Sequence, residues 1–219
     1  MTKSVAVLGL GKYGSSLVRA LYEMGAEVLA VDKSETRVNE IADHCSSAVC
    51  ADVSSEETLI SLGLKDMDIV VVAMAQNLEA SVLAVVVCKD LGVPRIVAKS
   101  SSERMSVILR GVGADEAIIP EEYAGTRSAT ILFSETVLDY FQLGNSLCMI
   151  EMVPLKEWIG KTLTELNLRY NNNINVVARR DSDNNWMLVD PGMPLAENSK
   201  LLVVMEQKLL DELIQNDIA

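Results

Sequence analysis

VAVLGLGKYGSSLVRALYEMGAEVLAVD, residues 5–32, decides how the rest of the chain is read. The apolar run 5–8 predicts a strand buried on both faces. It leads into Gly9-x-Gly11-x-x-Gly14, and a helical pattern follows through Leu17, Val18 and Leu21 until Gly25 stops it. Residues 28–31 predict a second strand, closing on Asp32. Each glycine has a physical job: a tight turn at Gly9, room for a pyrophosphate at Gly11, close helix–strand packing at Gly14. The helix N-terminus offers free N–H groups and partial positive charge to phosphate. Asp32 is placed to accept hydrogen bonds from a ribose diol. Glycines at this spacing also arise by chance in loops. With a strand before, a helix after and an acid at the next strand end, the stretch reads as a nucleotide-binding unit.

The same alternation continues downstream. Ser34 is a candidate N-cap for a helix to residue 43, residues 48–51 predict a short strand ending at Asp52, and Ser54 or Ser55 opens a helix. Residues 69–75, IVVVAMA, read as a buried parallel strand, and 77–91 as a long helix stopped by Gly92. Residues 96–98 predict a fifth strand, 102–112 a helix and 117–119 a sixth strand. Six strands with helical crossovers imply right-handed connections and a Rossmann-like, doubly wound parallel sheet of the α/β class. Pro120-Glu121-Glu122 then opens a helix to about Phe133, and 134–140 reads as more helix. With the strands finished, this helical stretch has no sheet to cross back over, so it reads as an arm leading to a second domain or a partner subunit.

From Leu147 the character changes to a small α+β unit of short strands at 149–153, 174–178, 186–189 and 201–205. Thr162 caps a short helix, a polar loop spans 181–185, and a last helix runs over 209–214. The expected organisation is a nucleotide-binding domain 1–133, a helical linker 134–146 and a small α+β domain 147–219. Gly160-Lys161-Thr162 resembles the end of a P-loop, but Leu155 stands where the partner glycine belongs, so it is rejected.

Composition narrows the function. The 219 residues are 49% hydrophobic with a formal charge of −12, so the chain is globular. No Lys/Arg cluster stands out, which argues against nucleic acid or an anionic membrane as partner. The longest apolar runs, such as 69–75 and 82–88, fall short of a membrane span. MTKSVAVLGLG enters a strand at once and leaves no space for a signal peptide, so the expected location is cytosolic. Cys45, Cys50, Cys88 and Cys148 stand singly and read as buried, reduced thiols rather than metal ligands, and His44 reads as a helix C-terminal residue.

Taken together, the chain resembles the regulator-of-potassium-conductance family, the cytosolic subunits of Trk- and Ktr-type potassium transporters. The resemblance rests on GLGKYG, the Asp32 strand end, the Ala51-Asp52 turn, VVVAMAQN (70–77), IVAKS (96–100) and GADEAIIPEE (113–122). In the second half it rests on GKTLTELNLR (160–169), VVARR (176–180), Pro191 and KLLVV (200–204), with Asn198-Ser199 departing from the family's Gly-Asp turn. It implies a homodimer assembling into a ring, expected to be an octamer, beneath a membrane potassium pore on a separate polypeptide. By position, Gly9, Gly11 and Gly14 bracket the phosphates, Asp32 takes the ribose, Asp52 borders the adenine and Lys99 lies near the phosphates. Lys33, Ala73 and Asn77 complete the implied nucleotide set. Lys12 reads either as a contact to terminal phosphates or as a solvated loop lysine. Glu121 matches a family acid that helps hold a divalent or monovalent cation between dimer mates, and would equally serve as a helix-dipole partner. Some relatives bind cyclic di-AMP in the C-terminal module. Arg169, Asn173, Asn175 and Arg180 offer polar groups for it, against a solvated turn.

The expected function is thus a non-catalytic, nucleotide-sensing gating subunit. An NAD(H)-dependent oxidoreductase on the same fold is the rival, but it needs an acid or base near the nicotinamide, usually His, Lys or a Tyr–Lys pair. A free-standing nucleotide sensor is the third reading. Asp32 accepts the ribose of ATP/ADP or NAD(H) alike, and repels a 2′-phosphate; Lys12 tilts the choice to ATP/ADP.

Overall fold

The computed structural model describes residues 2–74, 76–180 and 184–216. Ala75, at the end of the expected strand 69–75, and residues 181–183 of the expected polar loop lie outside the described residues. The chain divides into two units, residues 1–122 and 123–219.

The first unit alternates strands and helices: β1 (Ser4–Leu8), α1 (Lys12–Glu23), β2 (Glu27–Asp32), α2 (Glu35–Ile41), β3 (Ser47–Cys50), α3 (Glu56–Ser61), β4 (Ile69–Val72), α4 (Leu78–Asp90), β5 (Ile96–Lys99), α5 (Glu103–Gly111) and β6 (Glu116–Ile118). All six strands are parallel, in the order β3-β2-β1-β4-β5-β6. Side chains alternate across the sheet with period two, so Ala6 and Leu8 of β1 enter one core and Val5 and Val7 the other. β2 and β4 split the same way: Val31, Val70 and Val72 join the first core, Val28, Ala30 and Val71 the second. That two-sided burial is why these strands read as unbroken apolar runs. The chain winds outward from β1 to β3, then returns to place β4 on the other flank of β1. The loops after β1 and β4 therefore part from a shared point and open a crevice at the strand C-termini.

Helix α6 (Pro120–Phe133) begins in the first unit and continues past the boundary after Glu122, and none of its residues is buried. The expected boundary at 133 is thus corrected to 122. The expected helix over 134–140, and with it the helical linker 134–146, is corrected too: these residues hold strand β7 (Val137–Leu143), antiparallel to β8 (Leu147–Met152). The Ser134 hydroxyl ends α6 by accepting the N–H groups of Thr136 and Val137 at 3.2 and 3.1 Å. The register shifts between Val137 and Asp139, as a bulge does, so Val137 and Tyr140 both face the core three residues apart. That spacing imitates a helix, which is the source of the misreading.

The second unit adds α7 (Leu163–Leu166), α8 (Leu168–Asn172), β9 (Asn175–Arg180), β10 (Trp186–Leu188), β11 (Lys200–Glu206) and α9 (Gln207–Asn216). Its sheet is antiparallel in the order β10-β9-β11-β8-β7 and feeds one core, which includes Tyr140, Ile150, Trp158, Leu201, Val203 and Met205. Thr162 caps α7 in a full capping box with Glu165. Helix α8 was not expected from its asparagine run. Asn167 and Asn173 flank it at φ 45° and 56°, a left-handed conformation that asparagine tolerates better than most residues. Cys45, Cys88 and Cys148 are buried, and desolvation pushes the Cys88 and Cys148 thiols up to about 12 and 11. Cys50 corrects the expectation of buried thiols: it is exposed at the end of β3.

Candidate nucleotide site

The three glycines of the loop after β1 do not do the same work. Gly9 has φ +103° and donates its N–H to the Val31 carbonyl at 2.7 Å. A Cβ there would lie 2.9 Å from Met74 Cγ, so both conformation and space require glycine. At Gly14 a Cβ would sit 1.9 Å from the Gly9 carbonyl oxygen, an impossible overlap. Gly11 is the exception. It is extended, N-caps α1, and a Cβ on it would meet nothing within 4 Å. The fold does not need a glycine at 11, but the open space before a 12-residue helix suits a phosphate.

Asp32 ends β2 beside this loop and is buried, with 6% relative exposure. Its Oδ2 accepts the Leu10 N–H at 2.7 Å and its Oδ1 the Ser34 N–H at 2.9 Å. The acid thus braces the glycine loop and the start of α2. Arg37 approaches Oδ2 at 3.4 Å from an exposed position. A carboxylate has about four acceptor sites, so capacity for a ribose hydroxyl remains, more so if Arg37 swings away. Neither Leu10 nor Arg37 was singled out from sequence. Arg37 had a signal, an arginine one helical turn beyond the strand-end acid.

Ala73 walls the loop, donating its N–H to the Leu8 carbonyl at 2.7 Å, and Asn77 caps α4 by accepting the Ala80 N–H at 3.1 Å. Asp52 follows β3 in a turn closed by the Ser54 hydroxyl and N–H, which hold its carboxyl below the usual range. Lys33 and Lys12 are exposed, Lys12 as the first residue of α1. Lys99 ends β5 with its side chain only 15% exposed. Its ammonium pairs with Glu121 at 2.5 Å and lies 5.8 Å from the centre of the ring of Tyr13, the second residue of α1. The Lys99 hydrogen bond lowers the Glu121 carboxyl pKa. Tyr13 was missed because its partners lie far away in sequence. Among the described residues no group of three or more His, Cys, Asp or Glu gathers as metal ligands.

In the second unit, Arg169 and Asn175 line a hollow of about 170 Å³ with Asn167, Leu168, Ile174 and Pro191. Asn173 is the turn from α8 into β9 and does not line it. Arg180 is committed elsewhere: it pairs with Glu151 at 3.3 Å, donates to Asn184 at 2.8 Å and stacks on Trp186 at 4.7 Å.

Comparison with known proteins adds four findings. The family model of the TrkA-N domain matches residues 5–120. Over 178 residues the chain is 39% identical to the Ktr system potassium uptake protein C of Bacillus subtilis, covering 81% of this chain and 80% of that protein. It is 32% identical over 206 residues to Ktr system potassium uptake protein A of the same organism, covering 94% and 93%. Among solved structures, the GsuK channel bound to NAD superposes with a TM-score of 0.67 over the whole chain at 14% identity, a likeness of fold alone; the chain spans 40% of that channel's length.

Proposed function

The chain belongs to the TrkA-N family, and from that premise we propose that it is a cytosolic regulatory subunit which senses an adenine nucleotide and gates a potassium pore carried on a separate polypeptide. The observation that carries the reading is the open space at Gly11, framed by the N-terminus of α1 and flanked by Asp32. Gly9 and Gly14 are glycines for the sake of the fold, whereas Gly11 leaves open room at the N-terminus of α1 that a phosphate would fit. ATP or ADP is the proposed ligand, with Lys12 and Lys99 toward the phosphates; NAD(H) is the second, the GsuK channel having been solved bound to NAD. The cytosolic placement fits a chain in which no described helix is long and apolar enough to cross a membrane.

Among the described residues no three His, Cys, Asp or Glu gather at Glu121, whose carboxylate already faces Lys99, so a cation there would draw further donors from outside that set. Phosphate oxygens and a second subunit would supply them, in keeping with a homodimer and an octameric ring. In the second unit we assign Arg169 and Asn175 to one end of a cyclic di-AMP site. The hollow is smaller than the roughly 300–1,000 Å³ of a complete small-molecule pocket, so a second copy would complete it.

The oxidoreductase reading has one new element in its favour, Lys99 beside Tyr13. The geometry is wrong for it. The ammonium lies over the ring face, and burial, then Glu116, raise the Tyr13 phenol pKa, whereas an acid–base tyrosine needs a lowered one. No turnover is expected with NADH or ATP, and a rate of ~1 per second or more would overturn the gating reading. Calorimetry tests the ligand: ATP and ADP bind at about micromolar Kd, near −8 kcal/mol, and Gly11→Val abolishes binding while the protein stays folded. Retained affinity in Gly11→Val would move the site elsewhere.

A further inference from the structure

The Lys99 side chain joins the start of α1, at the glycine loop, to the start of α6. Its ammonium rests over Tyr13, the residue before Gly14, and pairs with Glu121, in the first turn of α6. The Lys99 side chain is only 15% exposed, whereas that of Glu121 is 66% exposed. The ammonium already lies 5.8 Å from the centre of the ring of Tyr13, two residues beyond Gly11. A phosphate bound at the start of α1 with its oxygens toward Lys99 would compete for it with two or more charged oxygens against one carboxylate. We propose that the Lys99–Glu121 pair is a latch which a phosphate-bearing nucleotide opens by taking the ammonium of Lys99 from Glu121. Once released, Glu121 no longer ties the first turn of α6 to the strand end at β5. The helix that crosses the boundary between the two units then answers to the occupancy of the phosphate loop. This rests on the nucleotide reading above and adds the route by which occupancy is felt.

The latch predicts a sign that simple binding does not. If Glu121 competes with phosphate, removing its charge must tighten the nucleotide. In the full chain, with a chelator present to exclude cations, Glu121→Gln should raise ADP affinity about threefold to tenfold, the scale of a partly screened ion pair. Adenosine, which lacks phosphate, should bind both proteins alike. Lys99→Met should weaken ADP and erase the gain from Glu121→Gln in the double variant, and melting curves confirm that each variant is folded. Unchanged or weaker ADP binding by Glu121→Gln overturns the latch alone, since nucleotide binding is seen in the same titration. Equal gains for ADP and adenosine overturn it too, because the effect would not run through phosphate. A wild-type protein that binds no ADP overturns the latch together with the nucleotide reading beneath it.

Discussion

The two units solve the burial problem in opposite ways. In the first, every central strand is covered on both faces, so neighbouring residues such as Val7 and Leu8 serve two separate cores. In the second, the sheet has one core, and along β8 only Cys148, Ile150 and Met152 are fully buried while Met149 and Glu151 are half-buried. The difference shows in where polar groups are tolerated. The first unit keeps its central strands apolar and moves its chemistry to the strand ends. The second carries the Glu151–Arg180 ion pair in mid-sheet, roofed by Trp186. A two-faced sheet thus concentrates function at its rim, and a one-faced sheet has a second surface to use.

That contrast can be broken by core truncations. Leu8→Ala should cost about 2–5 kcal/mol and Val7→Ala about 2, because both faces of β1 are packed. In β8, Ile150→Ala should cost about 2–5 kcal/mol but Met149→Ala about 1. The two tryptophans, Trp158 and Trp186, both lie in the second unit, so their fluorescence follows that unit alone while circular dichroism follows both. Equal losses for Met149→Ala and Ile150→Ala would erase the distinction between the sheets.

The glycine loop sharpens it. Gly14→Ala should destabilise the first unit by about 3 kcal/mol, an overpacking against backbone that cannot yield. Gly11→Ala should stay within about 1 kcal/mol, the scale of an N-cap change. Urea titration of the two variants separates a glycine kept for packing from one kept for a ligand. A smaller effect of about 1 kcal/mol is expected for Thr162→Ala in the capping box of α7, read from tryptophan fluorescence.

The last test uses pH. Arg127 grips Asp139 with both its Nε and Nη2, at 2.8 and 2.9 Å, and this bond lowers the Asp139 pKa. A depressed folded pKa means that the pair's contribution is complete above the unfolded value of about 3.9 and is lost as pH falls through the folded one. Melting from pH 7 to pH 3 should therefore narrow the gap between wild type and Asp139→Asn. A constant gap would show that the pair does not feel the titration.

Much of the first unit could be read from the chain because its signals are local. A two-sided strand is an apolar run, the tight turn from β1 into α1 is a glycine spacing, and Asp32 ends the next strand. The sequence by itself also marked Thr162 as a cap. What only the tertiary structure decided depends on contacts that composition does not encode. A bulge turned the helical spacing of Val137 and Tyr140 into strand β7. Lys99, Tyr13 and Glu121, drawn from three separate elements, became one cluster. Arg180 lies outside the hollow lined by Asn175 because Glu151, 29 residues away, offers it an opposite charge and Trp186 a ring face to stack on. Periodicity reports which face of an element is buried, but the partner a side chain meets there is set by how distant elements pack.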